Sequence, residues 1–332
     1  MKQNLFLSLA LMLSSFDVAL FGQTDSQVRS RIEGTDRPVL PPQATGEGTA
    51  AQKGKDSPDV STSDTGAQRP VQLKENGISS FFGYNTKYFY RSNPLAQSGT
   101  LKQQATGMWT NTFFAGSGLG VFETGDAVIT PYIGASWTIN DYIEGGLDAF
   151  NYNSAGAYAL LLTQFGNGWS VRAGVSYSAD SSTVNDTEDY KEYYPNIGVL
   201  KSTVLNDSTT GIFDASIGSH NAESDTLGLT TSDIKELSSI EYAASYALNY
   251  EIFKFVIIPK YRISYKTYSK GTNNGRDDLS HDAGIKIDYP IADSLKISAY
   301  YDYSNRNSNV SIPNYDYKSY DFGISIGLNA RF

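Results

Sequence analysis

From residue 78 onward, apolar and polar residues alternate with a period of two. In the segment from Ser294, Leu295, Ile297, Ala299, Tyr301 and Tyr303 share one face, and Lys296, Ser298, Tyr300, Asp302 and Ser304 share the other. Ala283, Ile285, Ile287, Tyr289 and Ile291 alternate with Asp282, Gly284, Lys286 and Asp288. Phe255, Ile257, Pro259, Tyr261, Ile263 and Tyr265 alternate with Lys260, Arg262, Ser264 and Lys266. Trp169 to Tyr177 and Ile129 to Ile139 repeat the pattern. Successive side chains of a strand point to opposite faces, so each segment predicts a strand with one apolar and one polar face.

Alternation alone does not say where the apolar face points. A soluble sandwich or small barrel turns it inward, and a membrane barrel turns it to lipid. Strand length favours the membrane: a tilted spanning strand needs roughly 9–11 residues, against a mode of about 5–6 in soluble sheets. Connection length does too. Short turns at 206–208, 251–253 and 292–293 alternate with long polar loops at 221–236, 269–279 and 306–316. Outer-membrane barrels have short periplasmic turns and longer outer loops. Aromatic residues fall into two bands. Trp137, Tyr142, Phe165, Trp169, Tyr250, Phe253 and Tyr289 are expected near short turns, and Tyr177, Tyr265, Tyr268, Tyr303 and Tyr320 near long loops.

The last segment makes the reading specific. Tyr320, Phe322, Ile324, Ile326, Leu328, Ala330 and Phe332 face one way, opposite Asp321, Gly323, Ser325, Gly327, Asn329 and Arg331. The run Ser325-Ile-Gly327-Leu-Asn-Ala330-Arg-Phe332 resembles the polar-x-Gly-x-x-apolar-x-aromatic ending of bacterial outer-membrane β-barrel proteins. The resemblance covers residues 78–332 and is architectural. It implies an all-β, antiparallel transmembrane β-barrel of porin-like kind in the bacterial outer membrane. It also implies that Ser325, Gly327, Ala330 and Phe332 form the signal read by the barrel-insertion machinery.

Thirteen strand-like segments start near Ile78, Met108, Val128, Ile143, Ala157, Gly168, Tyr190, Thr210, Ser239, Lys254, His281, Ser294 and Tyr317. A single-chain bacterial barrel with both ends on one side needs an even count. Twelve strands are expected, with ten or fourteen as alternatives. Counted back from Phe332, the Met108 segment would rise from the periplasm and the Ile78 segment would run the wrong way. Pro131, Pro195 and Pro259 each remove a ladder donor, so local bulges are expected there.

The N-terminus reads differently. Met1-Lys2 precedes a short apolar run from Leu5 to Leu13, the layout of a signal peptide over 1–22 that directs export. The run is well short of the roughly 20 residues of a spanning helix. Residues 23–77 are rich in Gly, Pro, Ser, Thr, Asp and Gln and lack aromatics. Such a segment cannot offset its ordering entropy by burial and is expected to be a disordered periplasmic linker, with a lumen plug or a cell-wall tether as alternatives.

Composition changes this picture mainly by exclusion. A net charge of −9 gives no basic face for nucleic acid. The absence of Cys excludes disulfides, thiolate metal sites and Cys nucleophiles. Ser280-His281-Asp282 cannot form a triad, because strand neighbours point apart. Oxygen-rich stretches at 186–189 and 273–278 lack calcium-loop spacing and read as solvated loops with Asn274-Gly275 at a turn tip. No catalytic residue, metal or cofactor is expected. The candidate chemistry is the inner face. Arg172, Lys260, Arg262, Lys266, Lys286, Asp288, Lys296, Asp302, Asp321 and Arg331 are expected to line the lumen, with Glu144, Asp148, Asp214 and Glu241 added. Inward Tyr132, Tyr194 and Tyr300 could narrow it. These residues would either select solutes by charge or pair with one another and fill the interior. The function expected is a passive channel for small hydrophilic solutes. The alternatives are a non-conducting structural or adhesion barrel and an outer-membrane hydrolase. The expected partners are the lipid bilayer, the insertion machinery and, through the linker, the cell wall. The sequence leaves the oligomeric state open.

Overall fold

The computed structural model describes residues 78–96, 105–144, 146–184, 188–223, 237–310 and 315–331, and the side chain of Arg331 is outside that description. The segments read as signal peptide and linker, and Phe332, therefore lie outside the described residues. Twelve long strands close into one antiparallel barrel: β1 (Ser79–Arg91), β2 (Thr106–Gly118), β4 (Ala127–Tyr142), β5 (Tyr152–Phe165), β6 (Trp169–Ser182), β7 (Glu188–Asn206), β8 (Thr209–Glu223), β9 (Ser239–Ile252), β10 (Phe255–Tyr268), β11 (Asp277–Ala292), β12 (Leu295–Ser308) and β13 (Tyr317–Arg331). A short strand β3 (Phe122–Thr124) forms a hairpin on the start of β4. Closure comes from β1 pairing with β13, from Phe81↔Arg331 to Arg91↔Asp321. Every edge of the twelve long strands is thereby paired, which is the condition for a sheet to cross a bilayer without unsatisfied backbone groups.

The alternation sets the faces. Phe322, Ile324, Ile326 and Leu328 are exposed on the outside of β13, while Ser325 between them is buried on the inside. The same holds for Phe213 and Ile217 on β8, Tyr242 and Tyr246 on β9, and Ile285 and Ile287 on β11. Removing one such side chain from water is worth roughly 1.5–3 kcal/mol. A continuous outward belt of them is stable only against an apolar surround. No helix among the described residues is long and apolar enough to cross a membrane.

Connections alternate as expected. Residues 207–208, 253–254 and 293–294 are tight turns, and β13 descends to the same end of the barrel, from which β1 starts. At the opposite end lie the longer connections, whose described residues include 146–151, 269–276, 309–310 and 315–316.

Several expectations fail. The Ile143 segment is not a strand: residues 143–151 form a connection with a 3-10 turn at Asp148–Phe150. Its alternation is too short to span, and Tyr142, Leu147 and Phe150 are buried together instead. Removing it restores the even count and reverses the N-terminal directions, so the Met108 segment descends and the Ile78 segment rises. Tyr142 then sits at the long-connection end and Trp137 on that half of β4, neither near a short turn, and Glu144 and Asp148 belong to a connection, not the inner wall. The prolines cause no bulge either. The pairing register is the same on either side of Pro131, Pro195 and Pro259, although the ladder to β8 skips Tyr194 and Pro195 and the ladder to β9 skips Ile258 and Pro259. In an antiparallel strand a residue's N–H and C=O serve the same neighbour, so a missing donor removes one bond without displacing the chain. The register shifts lie at strand ends, at Asp180/Ser181, Val204/Asn206 and Pro290/Ala292.

Candidate functional site: the barrel interior

The inner wall is held by ion pairs that bridge neighbouring strands, several of them laid over glycine. Lys260, Gly284 and Asp302 are paired in one row across β10, β11 and β12. Lys260 Nζ meets Asp302 Oδ1 at 3.1 Å. A Cβ on Gly284 would run into both side chains, so only glycine leaves the pair room to lie flat on the wall. On the other side, Arg172 of β6 reaches over Gly198 of β7 to Asp214 of β8, with Nη2 donating to Oδ1 at 2.8 Å and Nη1 bonded to the second oxygen. Arg91 of β1 closes the seam by donating to Asp321 of β13 at 2.7 Å. Asp288 accepts Lys286 at 3.4 Å and Lys296 at 3.2 Å. Glu241 takes Arg262 at 2.9 Å and Lys266 at 4.0 Å, and Arg262 also reaches Asp282 at 3.7 Å.

The structure therefore draws nine of the ten lumen candidates into ion pairs, eight of them into pairs that cross between strands and Lys286 into a pair with Asp288 on its own strand, with Asp214 and Glu241 among the partners. Arg331 cannot be placed beyond its backbone. Of the insertion-signal residues, Ser325 and Gly327 face inward and Ala330 is exposed on the outer face. Inward Tyr300 stacks near Phe89 across Gly323, with ring centroids 6.2 Å apart. Tyr194 covers Gly218 and donates to Glu241 at 3.4 Å.

The interior is not uniform. On the β5–β8 side it is filled near the short turns: inward Leu160, Leu162, Leu200 and Ile212 are buried with Arg172. On the β10–β12 side it is open. The side chains of Lys260, Lys296 and Arg262 keep 55%, 47% and 41% of their surface accessible while facing inward. A packed interior would leave long side chains no such access.

The long-connection end is narrowed by two packed clusters that alternation could not reveal. One is apolar: Leu95 and the 143–151 connection fold inward, burying Leu95, Leu147 and Phe150 against Phe89, Met108, Tyr142 and Tyr152. The other is built on Arg276, which is fully buried. Its guanidinium lies between the rings of Tyr268 and Tyr315, 4.5 and 3.6 Å from their centroids. It donates to Asp278 through Nε at 2.9 Å, and Tyr315 donates its O–H to Asn273 at 2.6 Å. The 273–278 stretch is thus a buried latch and not a solvated loop, although Gly275 (φ 82°) does form its tip. Beside it, His220 stands between two carboxylates, with Nδ1 3.0 Å from Glu192 and Nε2 3.4 Å from Glu241. Arg91 and Glu192 are absent from the sequence expectation, although the period of two would have placed them on the inner face. Arg276 and Asn273 carry no such signal, because loop packing has no period.

No catalytic constellation emerges from Ser280-His281-Asp282. His281 points outward to the Tyr261 hydroxyl at 2.7 Å, while Asp282 faces the interior. No group of three or more acidic or His side chains among the described residues is placed to hold a metal.

Apolar outside, ionic inside and closed by antiparallel pairing, the chain is a transmembrane β-barrel with a partly open polar interior. No family model and no curated protein matches it. It is similar to solved bacterial outer-membrane barrels. An outer membrane channel from Pseudomonas putida F1 is 7% identical over 79% of this chain and 100% of that one, with a TM-score of 0.49. The β domain of the Bordetella autotransporter BrkA is 8% identical over 75% of this chain and 98% of that one, with a TM-score of 0.44. The NalP translocator domain from Neisseria meningitidis is 13% identical over 77% of this chain and 90% of that one, with a TM-score of 0.42.

Proposed function

We propose that this protein is an outer-membrane channel, a porin-like passive conduit for small hydrophilic solutes. The observation that carries the reading is the accessibility of Lys260, Lys296 and Arg262 on the inner wall. A barrel that served only as a scaffold would fill that space with side chains. The outward apolar belt supports residence in a membrane, and the terminal motif supports insertion in the outer one. Planar-bilayer recording of purified, folded protein tests the channel directly. Stepwise conductance is expected. Silent bilayers from a barrel that still shows heat-modifiable migration would overturn it.

A second reading, a non-conducting structural or adhesion barrel, is favoured by the packed clusters at the long-connection end. It differs in one outcome. Shortening the 143–151 connection would then change adhesion to external surfaces and leave conductance absent.

A further inference from the structure

The ionic side chains of the β9–β12 wall are not evenly presented. In each pair the cation is the more accessible partner. Lys296 and Lys286 stand at 47% and 26% against 12% for the Asp288 they share. Arg262 and Lys266 stand well clear of Glu241, which keeps only 7%. Lys260 exceeds Asp302, and Arg262 exceeds Asp282 by a smaller margin. The cause is side-chain length. Lysine and arginine arms carry their charge past the ends of Asp and Glu, whose carboxylates lie back on the wall. Five cations here share four carboxylates, so the neutralisation is incomplete as well as set behind.

The cations also form a series along the barrel. Lys296 is the second residue of β12 above its short turn, and Lys266 is two residues from the end of β10 at the long-connection end. Lys260, Lys286 and Arg262 fall between. At about 3.3 Å per residue and a strand tilt near 40°, the series spans roughly 25 Å, with Lys260, Lys286 and Arg262 grouped near the middle and Lys266 and Lys296 about 10 Å to either side. That is most of the depth of a hydrocarbon core of about 30 Å. Most other inward charges lie back from the lumen. Arg172–Asp214 and Arg91–Asp321 are balanced pairs set into the wall. Asp180 is buried and accepts from the Ser154 hydroxyl, Glu192 is buried beside His220, and Asp278 is buried against Arg276.

We propose that the lumen selects for anions, and that small anionic solutes pass along the wall by stepping between Lys266, Arg262, Lys260, Lys286 and Lys296. This rests on the channel reading and gives it a sign. An anion in the lumen lies nearer the ammonium and guanidinium heads than the carboxylates behind them, and the Coulomb energy weights the nearer charge. The interaction is shared among several sites, each weak enough to leave, which conduction requires.

The test is the reversal potential of the full-length protein in a planar bilayer under a steep KCl gradient. Its sign should report chloride as the more permeant ion, with a permeability ratio over potassium above about 2, from a lumen potential of order kT. The double variant Lys260→Gln, Lys296→Gln should bring the ratio towards 1 and lower the single-channel conductance. Lys201→Gln provides the control: its ammonium lies over the outward Trp169 ring, 5.3 Å from the centroid, and selectivity should not move. Heat-modifiable migration of each variant establishes that it is folded. A conducting wild type that favours potassium or neither ion overturns the inference and leaves the channel reading standing. An unchanged ratio in the folded double variant overturns the assignment to these lysines. A silent wild-type barrel overturns the channel reading and this inference with it.

Discussion

The residues that decide this molecule's interior are glycines and their charged neighbours. Where Gly198 and Gly284 remove a side chain, an ion pair lies across the strand in its place. The two pairs sit in different surroundings and should respond differently to truncation. Arg172 is nearly buried, so Asp214→Ala leaves a cation without its partner and should cost about 3 kcal/mol. Lys260 is half exposed to the lumen, so Asp302→Ala should cost under about 1 kcal/mol, because water replaces the carboxylate. Urea unfolding of the two variants in lipid vesicles checks the contrast, and equal losses would remove the distinction between the walls. Gly284→Val should be as disruptive as it is small, since its side chain would occupy the space of the Lys260–Asp302 pair. Loss of stability greater than that of Asp302→Ala, by the same measurement, is the expected outcome.

Residue facing was the most legible property of the sequence, since a period of two assigns each strand residue to one side. The alternation alone places Arg172, Lys260 and Asp302 on the inner face. Their partners were not fully legible, because pairing depends on register, and a side chain such as Arg172 reaches past its immediate neighbour to the strand beyond. Phe253 shows another limit. It holds a left-handed conformation (φ 54°) in the tight turn between β9 and β10, where a non-glycine residue is strained.

At the scale of elements, the strands of the C-terminal half were read correctly because strict alternation and short turns reinforce one another. The N-terminal half misled through residues 143–151. Its apolar residues serve a packed connection, and the spacing of Leu147 and Phe150 carries no mark that they fold inward. The prolines misled for the opposite reason: the backbone tolerates the lost bond more cheaply than a bulge. The inward connections make a prediction at this scale. Leu95→Asp or Phe150→Asp places a charge in the apolar cluster, which an unpaired carboxylate cannot occupy without cost. The connection should be released from the mouth, raising single-channel conductance while the barrel remains folded. An unchanged trace would show that these connections do not limit passage. For the last strand, removal of Phe332 should reduce insertion into the outer membrane of living cells, read by fractionation, if the terminal motif acts as its resemblance implies.

For the whole molecule, closure and the outward apolar belt set what the chain can be: a barrel in an apolar surround, with its ends on the side of the short turns. Within it, one wall is packed and one is open, so the interior is neither a solid core nor a wide pore. Chain length and strand number alone left that choice open, because twelve strands lie between the filled and the aqueous regimes. The accessible cations of β10 and β12 tip it towards passage. The most direct measurement is single-channel recording of the purified, folded barrel in a planar bilayer. Discrete steps of conductance are predicted, and bilayers that stay silent with demonstrably folded protein would contradict the open lumen.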